Sequence, residues 1–160
     1  MKVQDLMTTE VHACRANESL NRAARIMWEY DCGCVPIVDS DSNVVGMLTD
    51  RDICMAAYLQ GKRLTEIPVT TAMSREVFSC TPNDGLRVAE EIMQNMQVRR
   101  LPVLDEEGKL EGLISLNDLA RRAEEEKEKP AKTKELEYEE VARTLASVCH
   151  AHGRPSPVPA

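Results

Sequence analysis

The period of the apolar positions changes several times along the chain, and the changes recur. Leu20, Ala23, Ala24 and Met27 fall at i, i+3, i+4 and i+7, which lays one apolar stripe along a helix. Asn17 precedes it as a cap whose side-chain oxygen can accept from the first turn. Gly33 follows as a stop signal, so the helix should end near 30–33. The pattern then contracts to two short apolar runs, 34–38 and 44–48, around Asp39-Ser40-Asp41-Ser42-Asn43. Two strands joined by turn-forming residues predict a hairpin. Pro36 cannot donate to a ladder and belongs at an edge or a strand start, and Gly46 predicts a bulge or a close backbone approach. A second helix runs from Asp50 to about Leu59 and ends at Gly61-Lys62-Arg63. Ahead of all this, 3–7 reads as one helical turn and 8–14 as a short strand or extended loop around Val11.

Sliding residues 3–54 along by 66 places them on 69–120 without a gap, and about 14 of the 52 aligned positions are identical. Among the identities are Met7/Met73, Leu20/Leu86, Pro36/Pro102, Gly46/Gly112 and Asp52/Asp118. The second copy repeats every element. Val69 to Met73 gives the turn, Val77 to Cys80 the extended piece and Asn83 the cap. Leu86, Ala89, Ile92, Met93 and Met96 form the stripe, 101–104 and 110–114 the strands, and Leu116 to about Glu126 the last helix. Each copy is a β-α-β-β-α half-unit of α/β (α+β) class. A hairpin face this small needs a second layer to cover it, so the two halves should pack face to face. The expected division is 1–64 and 65–125 for the halves, 126–133 for a charged linker, 134–150 for a C-terminal helix and 151–160 for a disordered tail. Thr133 would cap that last helix, and Leu136, Tyr138, Val141, Leu145 and Val148 would form its apolar face. A helix this short needs a surface to pack on.

Composition narrows the function. The net charge is −7. Residues 1–120 hold 12 basic and 19 acidic side chains, and 121–160 hold 8 of each, so the excess lies on the repeat. A nucleic-acid partner is not expected, because a duplex binder needs a basic face. No apolar run reaches the roughly 18 residues of a membrane span. Asp5, Glu10, His12 and Arg15 in the first 20 residues are not a signal peptide. The cysteines at 14, 32, 34, 54, 80 and 149 are therefore expected as reduced thiols in a cytoplasm. They lack the paired spacing of a zinc site, so no metal is expected. Histidine occurs only at 12, 150 and 152, and no serine or cysteine has a base partner at a recognisable spacing. No catalytic residues are expected.

The tandem Gly46-Met47-Leu48-Thr49-Asp50-Arg51-Asp52 and Gly112-Leu113-Ile114-Ser115-Leu116-Asn117-Asp118, with the Pro36 and Pro102 strands and the paired Met7…Val11 and Met73…Val77, resembles the cystathionine β-synthase (CBS) domain pair, or Bateman module. The resemblance covers roughly 3–124. It implies two related clefts between the halves that take an adenosyl ligand: AMP, ADP, ATP or S-adenosylmethionine. The family's ribose-binding aspartate transfers to Asp52 and Asp118, and its hydroxyl residue to Thr49 and Ser115. Cys34, Val35 and Pro36, and Arg100, Leu101 and Pro102, would edge the adenine, with Val11 and Val77 against its face. The resemblance also implies a homodimer.

Chemistry of the residues themselves agrees. A carboxylate can accept from both ribose hydroxyls at once, and a strand entering a helix offers unpaired N–H groups to an anion. Arg99 and Arg100 stand where the first copy has Gly33 and Cys34, and one of them is expected to meet phosphates through its planar fork. Plainer readings stand beside these. [ST]-x-x-[DE] ahead of a helix is also a capping box, and Arg99-Arg100 is also a solvated strand start. The stripe of Met27, Met93 and Met96 reads as core. The expectation is a non-catalytic regulatory module that needs no cofactor, binds an adenosyl ligand and signals to an unidentified effector protein. The alternative is a ligand-free dimerising scaffold that docks partners through its C-terminal helix.

Overall fold

A computed structural model describes residues 1–127 and 136–149. Thr133 and the expected tail at 151–160 lie outside the described residues, as does most of the expected linker. The first half contains β1 (Cys14–Arg15), α1 (Leu20–Glu29), β2 (Cys34–Val38), β3 (Val44–Thr49) and α2 (Asp50–Gln60). The second contains α3 (Leu86–Met96), β4 (Arg100–Leu104), β5 (Leu110–Ser115) and α4 (Leu116–Glu125), and is followed by α5 (Tyr138–Val148). Short 3-10 turns at Val3–Asp5 and Val69–Thr71 open the two copies. The sheets are β1-β2-β3 and β4-β5, with antiparallel hairpins and β1 parallel to β2. In the second copy the expected first strand shrinks to Cys80, which bridges Val103 in parallel.

The hairpins are in matched register. Cys34 faces Thr49 and Arg100 faces Ser115. Pro36 lies in the middle strand rather than at an edge. β1 runs parallel to β2 and pairs only with Ile37 and Val38, so it has not yet begun beside the proline. Asn17 and Asn83 do not cap: α1 and α3 begin after Ser19 and Gly85, with no side-chain cap bond. Asn83 instead accepts from Lys2 Nζ at 2.9 Å. Gly33 is not the stop of α1 either. Asp31 takes the left-handed backbone, φ 48°, as Gln97 does in the second copy with φ 53°. Gly61, φ 61°, does end α2 in the left-handed conformation that glycine adopts without strain.

The halves exchange their opening segments. Val3, Leu6 and Met7 pack into the second core with Leu86, Met93, Leu101 and Ile114, whereas Ile67, Val69 and Met73 join the first core with Leu20, Ile37 and Leu48. Thr8 bridges Leu113 of β5, and Ser74 bridges Met47 of β3. The two repeated glycines sit under these crossings. A Cβ on Gly46 would stand 2.7 Å from Met73 Sδ and 2.8 Å from the Ser74 carbonyl, and one on Gly112 would meet Met7 Sδ at 2.6 Å and the Thr8 carbonyl at 2.9 Å. This is the close approach expected of Gly46.

Of the methionine stripe, Met27 and Met93 are core, but Met96 is exposed. Helix α5 lies on α3 and α4. It buries Val141, Thr144 and Val148, with Leu136 ahead of it, and leaves Tyr138 and Leu145 outward. The equivalent face of the first half, on α1 and α2, has no such cover among the described residues. Trp28, Tyr58 and Leu59 are 89%, 79% and 74% exposed there.

Candidate functional site

Each hairpin hands its second strand directly to a helix, and the handover is a capping box. The Thr49 amide and hydroxyl both donate to Asp52 Oδ2, at 2.9 and 2.7 Å, and the Asp52 amide donates back to Thr49 Oγ1 at 3.2 Å. Ser115 and Asp118 do the same at 2.9, 2.5 and 3.4 Å. The capping reading therefore holds at both positions, and it occupies only Oδ2 of each carboxylate. The other oxygens differ. Asp52 Oδ1 has no hydrogen-bond partner among the described residues, whereas Asp118 Oδ1 accepts from the Arg121 guanidinium.

Because the opening segments cross, each cleft combines the two halves. The Asp118 cleft, about 640 Å³, sets Ser115, Asp118 and Arg121 opposite Val11, His12, Tyr30, Gly33 and Cys34. His12 and Tyr30 stack there with ring centroids 3.4 Å apart. The Asp52 cleft, about 1100 Å³, joins Thr49, Arg51 and Asp52 of the first half to Val98, Arg99 and Arg100 of the second. Ser74 and Phe78 of the crossing segment form a further wall, and Val148 and Cys149 close one end. Both volumes suit a nucleotide-sized ligand.

Arg100 lines both clefts, and a Cβ on Gly33 would stand 3.4 Å from its guanidinium. Arg99 lines only the Asp52 cleft, where its guanidinium lies 3.8 Å from Cys149 Sγ. The first turn of α2 is a poor anion site by itself. Asp50 already accepts from the Arg51 amide at 2.7 Å, and Asp52 adds a second carboxylate. Positive charge in this cleft therefore comes from Arg51, Arg99 and Arg100.

Val35, Pro36, Leu101 and Pro102 are buried in their hairpins and line neither cleft. Val77 lines neither as well, and its neighbour Phe78 takes the wall position. Cys34 lines both clefts, but burial pushes its thiol up to about 11, and burial lifts Cys14 and Cys80 to about 12. These thiols stay protonated at neutral pH and are poor nucleophiles and metal ligands. Among the described residues no group of three or more His, Cys, Asp or Glu is placed to hold a metal ion. No described helix is long and apolar enough to cross a membrane.

Several cleft residues carried no motif. His12, Tyr30, Arg121, Phe78 and Cys149 come into place through the crossing and through α5. The 66-residue offset does pair His12 with Phe78, and Tyr30 with Met96, as bulky side chains at like positions.

The family model described as CBS domain matches residues 3–58 and 65–125. A CBS domain-containing protein of Bacillus subtilis, YhcV, is 40% identical over 118 residues, covering 74% of this chain and 82% of that one. Among solved structures, a putative acetoin utilization protein (AcuB) from Vibrio cholerae is 31% identical, with TM-score 0.70 over 81% of this chain and 97% of its own. The CBS domain pair of protein MJ0100, solved in complex with 5'-methylthioadenosine and S-adenosyl-L-methionine, shares the fold. Its TM-score is 0.68 at 24% identity, over 76% of this chain and 94% of its own.

Proposed function

The chain belongs to the CBS-domain family as a tandem pair, and from that premise we propose that it is a non-catalytic sensor that binds an adenine nucleotide in the Asp52 cleft. The observation that carries this reading is one juxtaposition. Asp52 on the first half, with one carboxylate oxygen left open by its cap, lines the same cavity as Arg99 and Arg100 on the second. In this reading Asp52 accepts from the ribose hydroxyls while its cap stays intact, and Phe78 and Val98 pack against the base. Arg99 and Arg100 take the phosphates, with Arg51 beside them. The MJ0100 complex supports an adenosyl ligand as the class. S-adenosylmethionine suits the smaller Asp118 cleft better, where Arg100 and Arg121 are offset by Glu10, Asp31 and Asp118. No cofactor is required. A reducing cytoplasm goes with this reading, since all six cysteines are free thiols.

The same reading includes a homodimer through the bare α1–α2 face. Apolar exposure on the scale of Trp28, Met55, Tyr58 and Leu59 marks an interaction surface in a folded protein. It also favours, as the second reading, a scaffold whose work is assembly alone. Thermal unfolding with AMP, ADP, ATP and S-adenosylmethionine separates the two. Ligand at about 100 times its dissociation constant adds roughly 2.7 kcal/mol, which is about 5–10 °C at this chain length. The expected result is a shift with a phosphate-bearing nucleotide that falls by about half or more in Asp52→Ala. No shift with any of the four at millimolar concentration leaves the scaffold.

A further inference from the structure

Helix α5 is held by a stripe of polar side chains that the first half lacks. Arg87 pairs with Glu140 at 2.7 Å, Gln94 Nε2 donates to Thr144 Oγ1 at 2.8 Å, and Gln97 Nε2 donates to the Ser147 carbonyl at 3.3 Å. The Thr144 hydroxyl, fully buried, lies 3.4 Å from the carboxylate of buried Glu90. Arg99 reaches Cys149 just beyond the helix end. At an offset of 66, Arg87, Glu90, Gln94, Gln97 and Arg99 correspond to Asn21, Ala24, Trp28, Asp31 and Gly33. The clasp is thus specific to this face. Its last members, Gln97 and Arg99, are also walls of the Asp52 cleft, together with Val148 and Cys149.

Resting on the nucleotide reading above, we propose that α5 is a strap whose docking and the filling of the Asp52 cleft oppose each other. Two features set the sign. Arg99 is turned toward a thiol, a weak acceptor, and a phosphate in the same cleft is a far stronger partner for a guanidinium. The C-terminal end of α5 also faces the cleft, and the partial negative charge of a helix C-terminus repels an anion there. A nucleotide that takes Arg99 therefore loosens the last turn of α5. By linkage, a docked α5 weakens the nucleotide by the same factor. Release exposes the Leu136, Val141 and Val148 stripe together with its seat on α3 and α4, which makes α5 the element that reports occupancy to an effector.

The test uses the full chain with AMP and ATP. Amide hydrogen exchange across Tyr138–Val148 should quicken on saturation, while α1 and α2 stay unchanged or slow. Val141→Asn, and separately Gln94→Val, should undock α5 and tighten calorimetric nucleotide affinity by roughly fivefold or more, at the scale of ordinary site-to-site coupling. Nucleotide heat that is lost in Asp52→Ala, with α5 exchange unchanged or slowed, overturns the strap and leaves the nucleotide reading standing. Wild-type affinity in both undocking variants does the same. Absence of heat with either nucleotide, in the wild type and in both variants, overturns both.

Discussion

The Asp118 and Asp52 clefts are built on one skeleton and differ in charge. The 66-residue offset superposes Thr8 on Ser74, Leu113 on Met47, Ser115 on Thr49 and Asp118 on Asp52. Three substitutions then divide them. Arg99 replaces Gly33, Arg51 replaces Asn117, and Arg121 replaces Met55, while Arg100 lines both clefts. The first two add guanidinium groups to the Asp52 cleft alone, next to a carboxylate oxygen that is free to accept. The third places a guanidinium on Asp118 itself. Duplication supplied the frame and the cap twice, and in the proposed reading a few side chains at its rim decide which copy takes an anionic ligand. The largest expected effect in breaking this pair comes from the frame. Gly46→Val drives a side chain into the Ser74 carbonyl, a wall of the Asp52 cleft, and should destabilise by about 3 kcal/mol. Gly85→Ala has open space around it and loses only glycine's preference at the start of α3, so it should stay within about 1 kcal/mol. Denaturant unfolding of the two variants checks the contrast.

The next effect is on affinity. Asp52→Ala should weaken nucleotide binding roughly tenfold or more, the scale of a lost charge-assisted hydrogen bond. Asp118→Ala should leave that affinity within about twofold. Each also removes one capping box, so both should lose a similar ~1 kcal/mol of stability. Titration calorimetry beside thermal unfolding separates the two quantities. Equal losses of affinity in both variants would remove the functional distinction between the clefts.

These paired residues were legible in the sequence because a gapless repeat states itself. The hairpins, the helices and both Ser/Thr-x-x-Asp caps follow from local pattern, and so does the glycine under each crossing. Which half meets which was not legible. Residues 1–8 and 67–74 pack on the opposite core, and nothing in their own periodicity names the partner. For that reason Arg99 and Arg100, read as part of the second copy's own strand, join Asp52 of the first. The adenine-edging role written onto Val35, Pro36, Leu101 and Pro102 met the same limit. An apolar strand reads alike whether it faces a ligand or a core. Asn17 and Asn83 failed as caps because the chain enters α1 and α3 through backbone bridges, Ser19 to Pro68 and Lys2 to Gly85. In α5 the pattern favoured Leu145, yet Thr144 takes the buried position because Glu90 and Gln94 face it.

A smaller change should sharpen the comparison by making the clefts alike. Arg121→Met copies Met55 into the second half and frees Asp118 Oδ1. Arg121 is 74% exposed on its side of the pair, so the loss of the ion pair should shift stability by less than about 1 kcal/mol. The expected gain is a second, weaker binding event for adenosine or S-adenosylmethionine in calorimetry. An unchanged single event would mean that the Arg121 ion pair on Asp118 does not limit binding in the Asp118 cleft.

The mildest effect lies at the face of α3 and α4 that α5 covers. Glu90 on α3 is buried beneath α5. Burial raises its pKa from the ordinary 4.5, the Glu140 carboxylate raises it further, and the Thr144 hydroxyl and Arg87 pull the other way, with Glu91 adding a small upward push. A carboxyl with a raised folded-state value binds its proton more tightly in the docked state. Its contribution is complete below about 4.5 and is lost as pH rises through the raised value. Helix α5 should therefore be held more firmly at mildly acidic pH than at neutral pH. Glu90→Gln keeps a hydrogen-bonding group beside Thr144 and removes the charge. It should slow α5 amide exchange at pH 7, after correction for intrinsic rates, and flatten the difference between pH 7 and pH 5. Because the bare α1–α2 face has Ala24 at the equivalent position, its exchange should show no such dependence in either protein. A pH dependence shared by both faces would assign the effect to the fold as a whole rather than to Glu90 under its strap.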